Sequence, residues 1–238
     1  MMYVMLFAAL LPPALLWLYI WKKDPQKEPT RWLVKATLWG VGICVPVAIV
    51  ERVVSVVFLG DVEPTNLFQT TATAFFVAAI PEEAAKLLVL WLVLRKNPFF
   101  DEHFDGIVYA VCVGLGFAAI ENVCYVFTDE NWLAVAVARS LLSVPGHYAF
   151  AVLMGYYYAL YHFVDRSTKN AILMFVVPMM AHGIYDTFAM SAAVDPYIGS
   201  LCFFALIAFC SKMHKVAYKK IKAQINRDEG WSEETSVD

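Results

Sequence analysis

Long apolar runs alternate along the chain with short polar connections. Each run has at least the roughly 17 residues that an α-helix needs to cross a bilayer. The runs cover about residues 3–21, 32–59, 67–94, 107–127, 132–161, 170–190 and 197–213. This pattern predicts an all-α integral membrane protein with about seven transmembrane helices.

Lysine and arginine occur only in alternate connections. The first, third and fifth connections are basic, as is the segment after residue 213, whereas residues 60–66, 128–131 and 191–196 contain neither type. Cytoplasmic loops of membrane proteins are enriched in these two residues. We therefore expect the N-terminus outside and the C-terminus in the cytoplasm. We also expect the stretch 97–106, which mixes phenylalanines with acids, to lie in the cytoplasmic interface.

The last basic segment has a different pattern from the apolar runs. Its apolar residues fall roughly on one face of a helix, with lysines elsewhere, which is typical of an amphipathic helix on anionic lipid. Residues 228–238 are acidic and polar, which predicts disorder. We therefore divide the chain into a polytopic membrane domain, residues 1–213, and a basic amphipathic segment with a polar cytoplasmic tail, residues 214–238.

Composition limits the kinds of molecule that the protein is expected to bind. The chain is 61% hydrophobic and 16% charged, and its net charge of −3 gives no basis for nucleic-acid binding. The five cysteines all fall in apolar runs, which argues against a disulfide framework or a zinc ribbon. The lipid bilayer is the one partner that composition requires.

Four of the apolar runs carry carboxylates or imidazoles at a similar depth. An ionised side chain at membrane depth costs roughly 2.5–3.5 kcal/mol, so such residues are rare unless they are paired or functional. Pro81, which cannot donate a backbone hydrogen bond, precedes the first pair and is expected to open the helix there. The four runs carry, in order, Glu82, Glu83 and Lys86; Glu121 and Asn122; His147; and His182 and Asp186. We expect these side chains to meet around one polar cavity.

Spacing suggests how some of these residues interact. Lys86 lies one helical turn after both glutamates and can neutralise one of them, and His182 and Asp186 share a face. Gly114 and Gly116 are expected to allow close helix packing. Arg139 is expected to snorkel to the outer surface or to meet an acid in a loop.

The candidate residues suit the activation of water. A buried carboxylate can act as a general base, and histidine can stabilise an oxyanion or protonate a leaving amine. The same groups could hold a divalent metal such as zinc, with Glu82, Glu121, His147 and His182 as candidate ligands. From the residues alone, an intramembrane hydrolase and an ion or proton path both remain open.

The motifs resemble those of the PrsW family. The resemblance covers about residues 20–190, and a further stretch, Asp24-x-x-x-Glu28-Pro29, is similar to the family's Glu-Pro element. The four motifs occur in order as Glu82-Glu83-x-x-Lys86, Phe117-x-x-x-Glu121, His147 and His182-x-x-x-Asp186.

The resemblance implies a multi-spanning intramembrane endopeptidase of the bacterial cell (inner) membrane. Such an enzyme makes the site-1 cut, on the outer side, in an anti-sigma factor anchored by a single transmembrane helix, as part of a stress response. The family is similar to CAAX-prenyl endopeptidases, in which a glutamate activates water, and to the Aph subunit of γ-secretase, which is a scaffold. Glu121 stands where the prenyl endopeptidases have histidine, so its role does not transfer.

We therefore expect Glu82 or Glu83 to be the base, with Glu121, His147 and His182 completing a water or metal site. Supporting roles are expected for Lys86, which would hold the second carboxylate, for Asp186, which would orient His182, and for Phe117 and Asn122. Two alternatives to a protease remain at this point. One is a non-catalytic scaffold that binds partner helices, and the other is a proton-coupled transporter.

Overall fold

The computed structural model describes residues 1–60, 62–191, 194 and 196–235, and this part of the chain is helical without strands. The all-α prediction is confirmed. The helices are α1 (Met2–Lys23), α2 (Thr30–Leu59), α3 (residues 67–94), α4 (His103–Thr128), α5 (Trp132–Val164), α6 (Thr168–Met190) and α7 (Pro196–Thr235).

Six of these helices are long and apolar enough to cross a membrane, namely all except α3. Helix α3 consists of an α-helical Leu67–Ala72, a π-helical Thr73–Ala79 and an α-helical Ile80–Leu94. The junction residues Thr73 and Ile80 keep right-handed helical φ and ψ angles, so the three parts form one continuous helix. Each predicted run thus coincides with a helix in the described part of the chain. Seven crossings and an outside N-terminus remain predictions.

Helix α4 is the centre of the molecule. Within its apolar window 72% of the residues are buried, compared with 56% for α5 and less for the other candidate spans. It packs against α1, α2 and α5. A Cβ atom on Gly116 would lie 2.2 Å from the carbonyl oxygen of Thr37 in α2, and one on Gly114 would lie 2.8 Å from the Cβ of Ala151 in α5. The prediction that these glycines allow close packing is confirmed.

Helix α7 differs from its prediction. The face expected on lipid packs on protein instead, because Ala217, Ile221 and Gln224 are buried and the first two belong to the main hydrophobic core. The Gln224 side chain donates a hydrogen bond of 3.3 Å to the carbonyl oxygen of Tyr156 in α5. The apolar stripe of this segment therefore completes the helix bundle.

The expected disorder from residue 228 onward is also wrong for the described residues. Helix α7 continues to Thr235, while residues 236–238 of the predicted tail lie outside the described part. Asp228 accepts backbone hydrogen bonds from His103 (2.8 Å) and Phe104 (2.9 Å). Free N–H groups at a helix N-terminus favour a carboxylate, and this interaction orders the segment.

Candidate active site

Two prolines shape the helices that carry the candidate residues. Proline removes an i→i−4 hydrogen bond and clashes with the carbonyl four residues earlier. In α3 the π-helical Thr73–Ala79 precedes Pro81, and in α5 the π-helical Arg139–Ser143 precedes Pro145. The wider π turn accommodates each proline, and such turns are frequent at functional sites. The expected opening of the helix at Pro81 is therefore present as a π-helical segment.

Lys86 contacts both glutamates rather than one. Its Nζ atom lies 2.8 Å from Oε2 of Glu82 and 2.8 Å from Oε1 of Glu83, and all three residues are buried. The same atom lies 3.4 Å from Nδ1 of His147 and 4.3 Å from the centre of the Phe117 ring. The ammonium group thus links α3 to α4 and α5, and the Phe117 ring provides its apolar cover.

His182 lies between two carboxylates. Its Nδ1 is 2.9 Å from Oε1 of Glu83 and 3.9 Å from Oε2 of Glu82, while its Nε2 is 3.2 Å from Oδ2 of Asp186. The Phe150 ring stacks on the imidazole with the ring centres 5.0 Å apart. This packing and the two flanking acids fix the orientation of the ring.

His147 connects the glutamate pair to Glu121. The imidazole Nε2 lies 2.8 Å from Oε2 of Glu121, and Nδ1 faces Lys86. The centres of the His147 and His182 rings are 5.3 Å apart. Side chains from α3, α4, α5 and α6 therefore meet in one place, as the sequence predicted.

Arg139 belongs to the same cluster, which the sequence analysis did not anticipate. Its Nη2 lies 3.1 Å from Oε1 of Glu121, and its Nε donates a 2.5 Å hydrogen bond to Oδ1 of Asn122. Asn122 in turn donates to the carbonyl oxygen of Ala9 at 3.0 Å. Arg139 thus meets an acid of a neighbouring helix and not a loop acid. The available signal was its position inside an apolar run, away from the basic connections.

The two glutamates of α3 differ in their surroundings. Glu83 is 0% exposed, its Oε1 is shared by Lys86 and His182, and its Oε2 has no hydrogen-bond partner in the described structure. Glu82 is 6% exposed and contacts Lys86 closely through Oε2 only. A carboxylate with this freedom is the better placed of the two to meet water.

The fold and this buried cluster are those of a multi-pass membrane protein with a polar site between its helices. Comparison with known proteins identifies the class. Residues 28–210 match the family described as PrsW family intramembrane metalloprotease. The chain is 35% identical over 183 residues to Protease PrsW of Oceanobacillus iheyensis, covering 76% of this chain and 80% of that protein.

Two further relatives extend the match. Protease PrsW of Geobacillus kaustophilus is 30% identical over 221 residues, covering 92% of this chain and 93% of that protein. Protease PrsW of Bacillus subtilis is 31% identical over 188 residues, covering 78% and 82%. No solved structure matches the chain.

The chain belongs to the PrsW family of intramembrane proteases. It is a bacterial, multi-pass membrane enzyme that acts on substrates within the bilayer. Family membership thus selects the protease over the scaffold and the transporter.

The family description implies a metal, and the donor set of the cluster fits one. Glu82, His147 and His182 offer ligand atoms that all lie within 4.8 Å of one another. Two imidazoles and a carboxylate form a common catalytic zinc set. Each imidazole also has a carboxylate at its other nitrogen, Asp186 for His182 and Glu121 for His147, as metal-binding histidines do. Glu121, the fourth candidate ligand, therefore lies behind His147 and outside this group.

Formal charge supports the same fit. Glu82, Glu83, Glu121 and Asp186 carry four negative charges, and Lys86 and Arg139 carry two positive ones. The difference of two negative charges matches one divalent cation when both histidines are neutral. Lys86 now lies between Glu82 and His147, so an ion held there requires its ammonium group to move away from both.

Proposed function

We propose that the chain is an endopeptidase that cuts a protein anchored in the membrane by a single transmembrane helix, using a water activated by Glu82. The observation that carries this proposal is the contrast within the glutamate pair. Glu83 is 0% exposed and its Oε1 is engaged by both Lys86 and His182, whereas Glu82 is 6% exposed and its Oε2 lies within hydrogen-bond distance of Lys86 alone.

The surrounding residues have complementary roles in this proposal. Glu82 takes a proton from water as the oxygen attacks the scissile carbonyl, and it returns the proton to the leaving amine. Lys86 pairs with both carboxylates through its ammonium group. His147 and His182 face the reacting atoms and stabilise the oxyanion, and Glu121 and Asp186 hold the two rings in place.

A divalent ion would be held by Glu82, His147 and His182, and when bound it supplies a more acidic water and polarises the carbonyl. Glu83 then remains the partner of Lys86, because its Oε1 lies within 2.8 Å of the ammonium group. With or without the ion, the chain's own residues orient the peptide and control the proton at the leaving nitrogen.

The substrate class proposed is an anti-sigma factor cut first on the outer side of the membrane. Its support is the family resemblance together with the position of Glu121 and Asn122 towards the end of α4 that the distribution of basic residues places outside. A single-span substrate suits the site, because a cluster surrounded by helices can be reached by a helix that unwinds locally.

The test is cleavage of a single-span reporter by the purified full chain in a neutral detergent. Glu82→Gln keeps the size of the side chain and removes its basicity, so activity falls by about 10²-fold or more, the scale of general-base catalysis. His147→Ala and His182→Ala are inactive as well. Glu130→Gln, at an exposed loop position, is the matched control and retains full activity.

Three further results sharpen the test. Full activity in both Glu82→Gln and Glu83→Gln contradicts the catalytic proposal. Loss of activity with a strong chelator and its return with zinc would show that the enzyme needs a metal, for which Glu82, His147 and His182 are the candidate ligands. Equal cleavage of an anti-sigma factor helix and an unrelated single-span helix contradicts the proposed substrate class, while leaving the endopeptidase mechanism intact.

A further inference from the structure

A second group of carboxylates lies at the opposite end of α4 from the active site. It is formed by the connection between α1 and α2 and by the connection that leads into α4. Its five members are Asp24, Glu28, Asp101, Glu102 and Asp105, of which Asp24, Glu28 and Asp105 are buried. The active site uses none of them.

Asp105 is the central member of this group. Its side chain is fully buried, and its Oδ2 accepts hydrogen bonds from the backbone N–H groups of Asp101 (3.1 Å) and Glu102 (2.8 Å). Its Oδ1 is buried and has no hydrogen-bond partner in the described structure. A buried carboxylate oxygen without a partner is costly, so this atom marks a place where a ligand would be stabilised.

Oxygens of the other carboxylates lie near Asp105 in two sets. Oxygens of Asp24, Glu102 and Asp105 all lie within 4.8 Å of one another, and so do oxygens of Glu28, Asp101 and Asp105. Ligands on opposite sides of one ion are separated by about 4 Å for Mg²⁺ and about 5 Å for Ca²⁺. Asp105 belongs to both sets and is therefore the residue that links them.

No lysine or arginine in the described part of the chain forms a salt bridge with this group, although the charge of Lys27 acts on Asp24. In the described part of the chain, no lysine or arginine nitrogen lies within 4.0 Å of any of the five carboxylates. The nearest candidate, Lys27, donates instead to the backbone carbonyls of Trp21, Lys22 and Asp24 at the end of α1. Arg31 lies over the Phe99 ring.

We propose that these five carboxylates bind one divalent cation of the hard, oxygen-preferring class, such as Mg²⁺ or Ca²⁺, with Asp105 as the shared ligand. The donor set contains only carboxylate oxygens, which suit such ions better than zinc. A bound cation ties the connection between α1 and α2 to the first turn of α4. The positive-inside rule places this site on the cytoplasmic side.

The test is calorimetric titration of the purified full chain with Mg²⁺, Ca²⁺ and Mn²⁺, each alone, in a neutral detergent that does not bind cations. One equivalent binds to the parent chain. Asp105→Asn keeps an acceptor for the two backbone N–H groups, yet its affinity falls by at least about tenfold. Glu130→Gln removes the same charge at an exposed position and leaves the affinity unchanged.

Two further variants control for misfolding and for cation binding at the active site. Asp101→Asn is exposed and should fold normally, and it also weakens binding. His182→Ala removes a ligand of the other candidate metal group and leaves this cation bound. A second readout is the melting temperature, which rises with the cation in the parent chain and stays constant in Asp105→Asn.

Two outcomes overturn the proposal. One is the absence of saturable binding by any of the three ions. The other is a cation that binds to Asp105→Asn and Asp101→Asn as tightly as to the parent chain but no longer binds to His182→Ala. That result would place the ion in the active site instead.

Discussion

Helix α4 carries Glu121 towards one end and Asp105 at the other, separated by roughly 24 Å along the helix axis. Each belongs to a group of buried carboxylates. In the active site, every carboxylate lies within 4 Å of a lysine, arginine or histidine nitrogen. In the group around Asp105, the described structure gives none of the five such a partner.

The difference between the two groups fits the predicted topology, which places the active site inside the bilayer and the group around Asp105 at the cytoplasmic interface. Within the apolar part of a bilayer no water or free ion is at hand, so the protein must supply the compensating charges itself. At the interface, protons and dissolved cations can do so instead. Each active-site carboxylate is therefore paired with a basic side chain of the protein, with Lys86 and Arg139 among them, whereas the other group depends on what the solvent provides.

The largest expected difference between the two ends of α4 is the side of the membrane on which each end lies. We expect an impermeant thiol reagent to label Asn66→Cys and Asn131→Cys from outside and Lys96→Cys from inside only, in an all-or-none manner. The exposed Cys124 is first replaced by alanine. Outside labelling of Lys96→Cys would invert the arrangement. Ala193, a third predicted outer position, lies outside the described residues.

Loss of Lys86 should have the largest effect on stability. Lys86→Met leaves two buried glutamates without their shared cation, which costs about 3–5 kcal/mol and lowers the melting temperature by roughly 6–20 °C. Reporter cleavage is also largely lost, whereas Lys86→Arg retains measurable activity.

The control for this prediction is Lys35→Met, because Lys35 is exposed and should change stability by no more than about 0.5 kcal/mol. A folded Lys86→Arg variant as inactive as Lys86→Met would show that more than charge pairing is needed. A melting temperature for Lys86→Met equal to that of the parent chain would show that the glutamates need no protein cation.

Removal of Arg139 should have a smaller effect, because Glu121 keeps its contact with His147. We expect Arg139→Gln to reduce cleavage by about tenfold, which corresponds to about 1.4 kcal/mol in the activation free energy. Arg95→Gln, at an exposed position, is the matched variant and leaves cleavage unchanged. Equal rates in the two variants would mean that Arg139 has no part in positioning Glu121.

The pH dependence of stability should distinguish the group around Asp105 from the active site. The pKa of Glu28 is about 7 in the folded chain, against 4.5 for a free glutamate, because of burial. Between these values the folded state binds a proton that the unfolded state does not, so stability falls as the pH rises through this window.

Glu28→Gln should therefore flatten the melting temperature measured between pH 4.5 and pH 7 in chelator-treated protein. The expected change is a few degrees, the smallest of the effects predicted here. Glu130→Gln should keep the slope of the parent chain. A slope that persists in Glu28→Gln would assign the proton uptake to other members of the group.

Much of the helical arrangement and of the site could be predicted, because charged residues stand out in apolar runs. Glu82, Glu83, Glu121, His147 and His182 share a depth, and only mutual contact relieves their cost. The role of Arg139 could not be predicted. A π turn adds one residue and rotates the following face by about 100°, so a helical projection from the sequence assigns the wrong neighbours.

The group around Asp105 was missed for another reason. Its members come from two connections that are distant in the sequence, and hydrophobic periodicity says nothing about how such connections pair. The extension of α7 past residue 228 was missed because its stabilising contact is equally remote, on His103 and Phe104. Composition alone predicted disorder there.

The contact of Asp228 with the start of α4 has a consequence for biosynthesis. His103 and Phe104, at the start of the central helix, donate to a residue that is synthesised 125 and 124 positions later, respectively. A nascent chain that stalls between residues 187 and 227 already contains every residue of the active site, yet it lacks the carboxylate that accepts from the first two N–H groups of its central helix. The first turn of this helix therefore reaches its final hydrogen bonding only after residue 228 has been made.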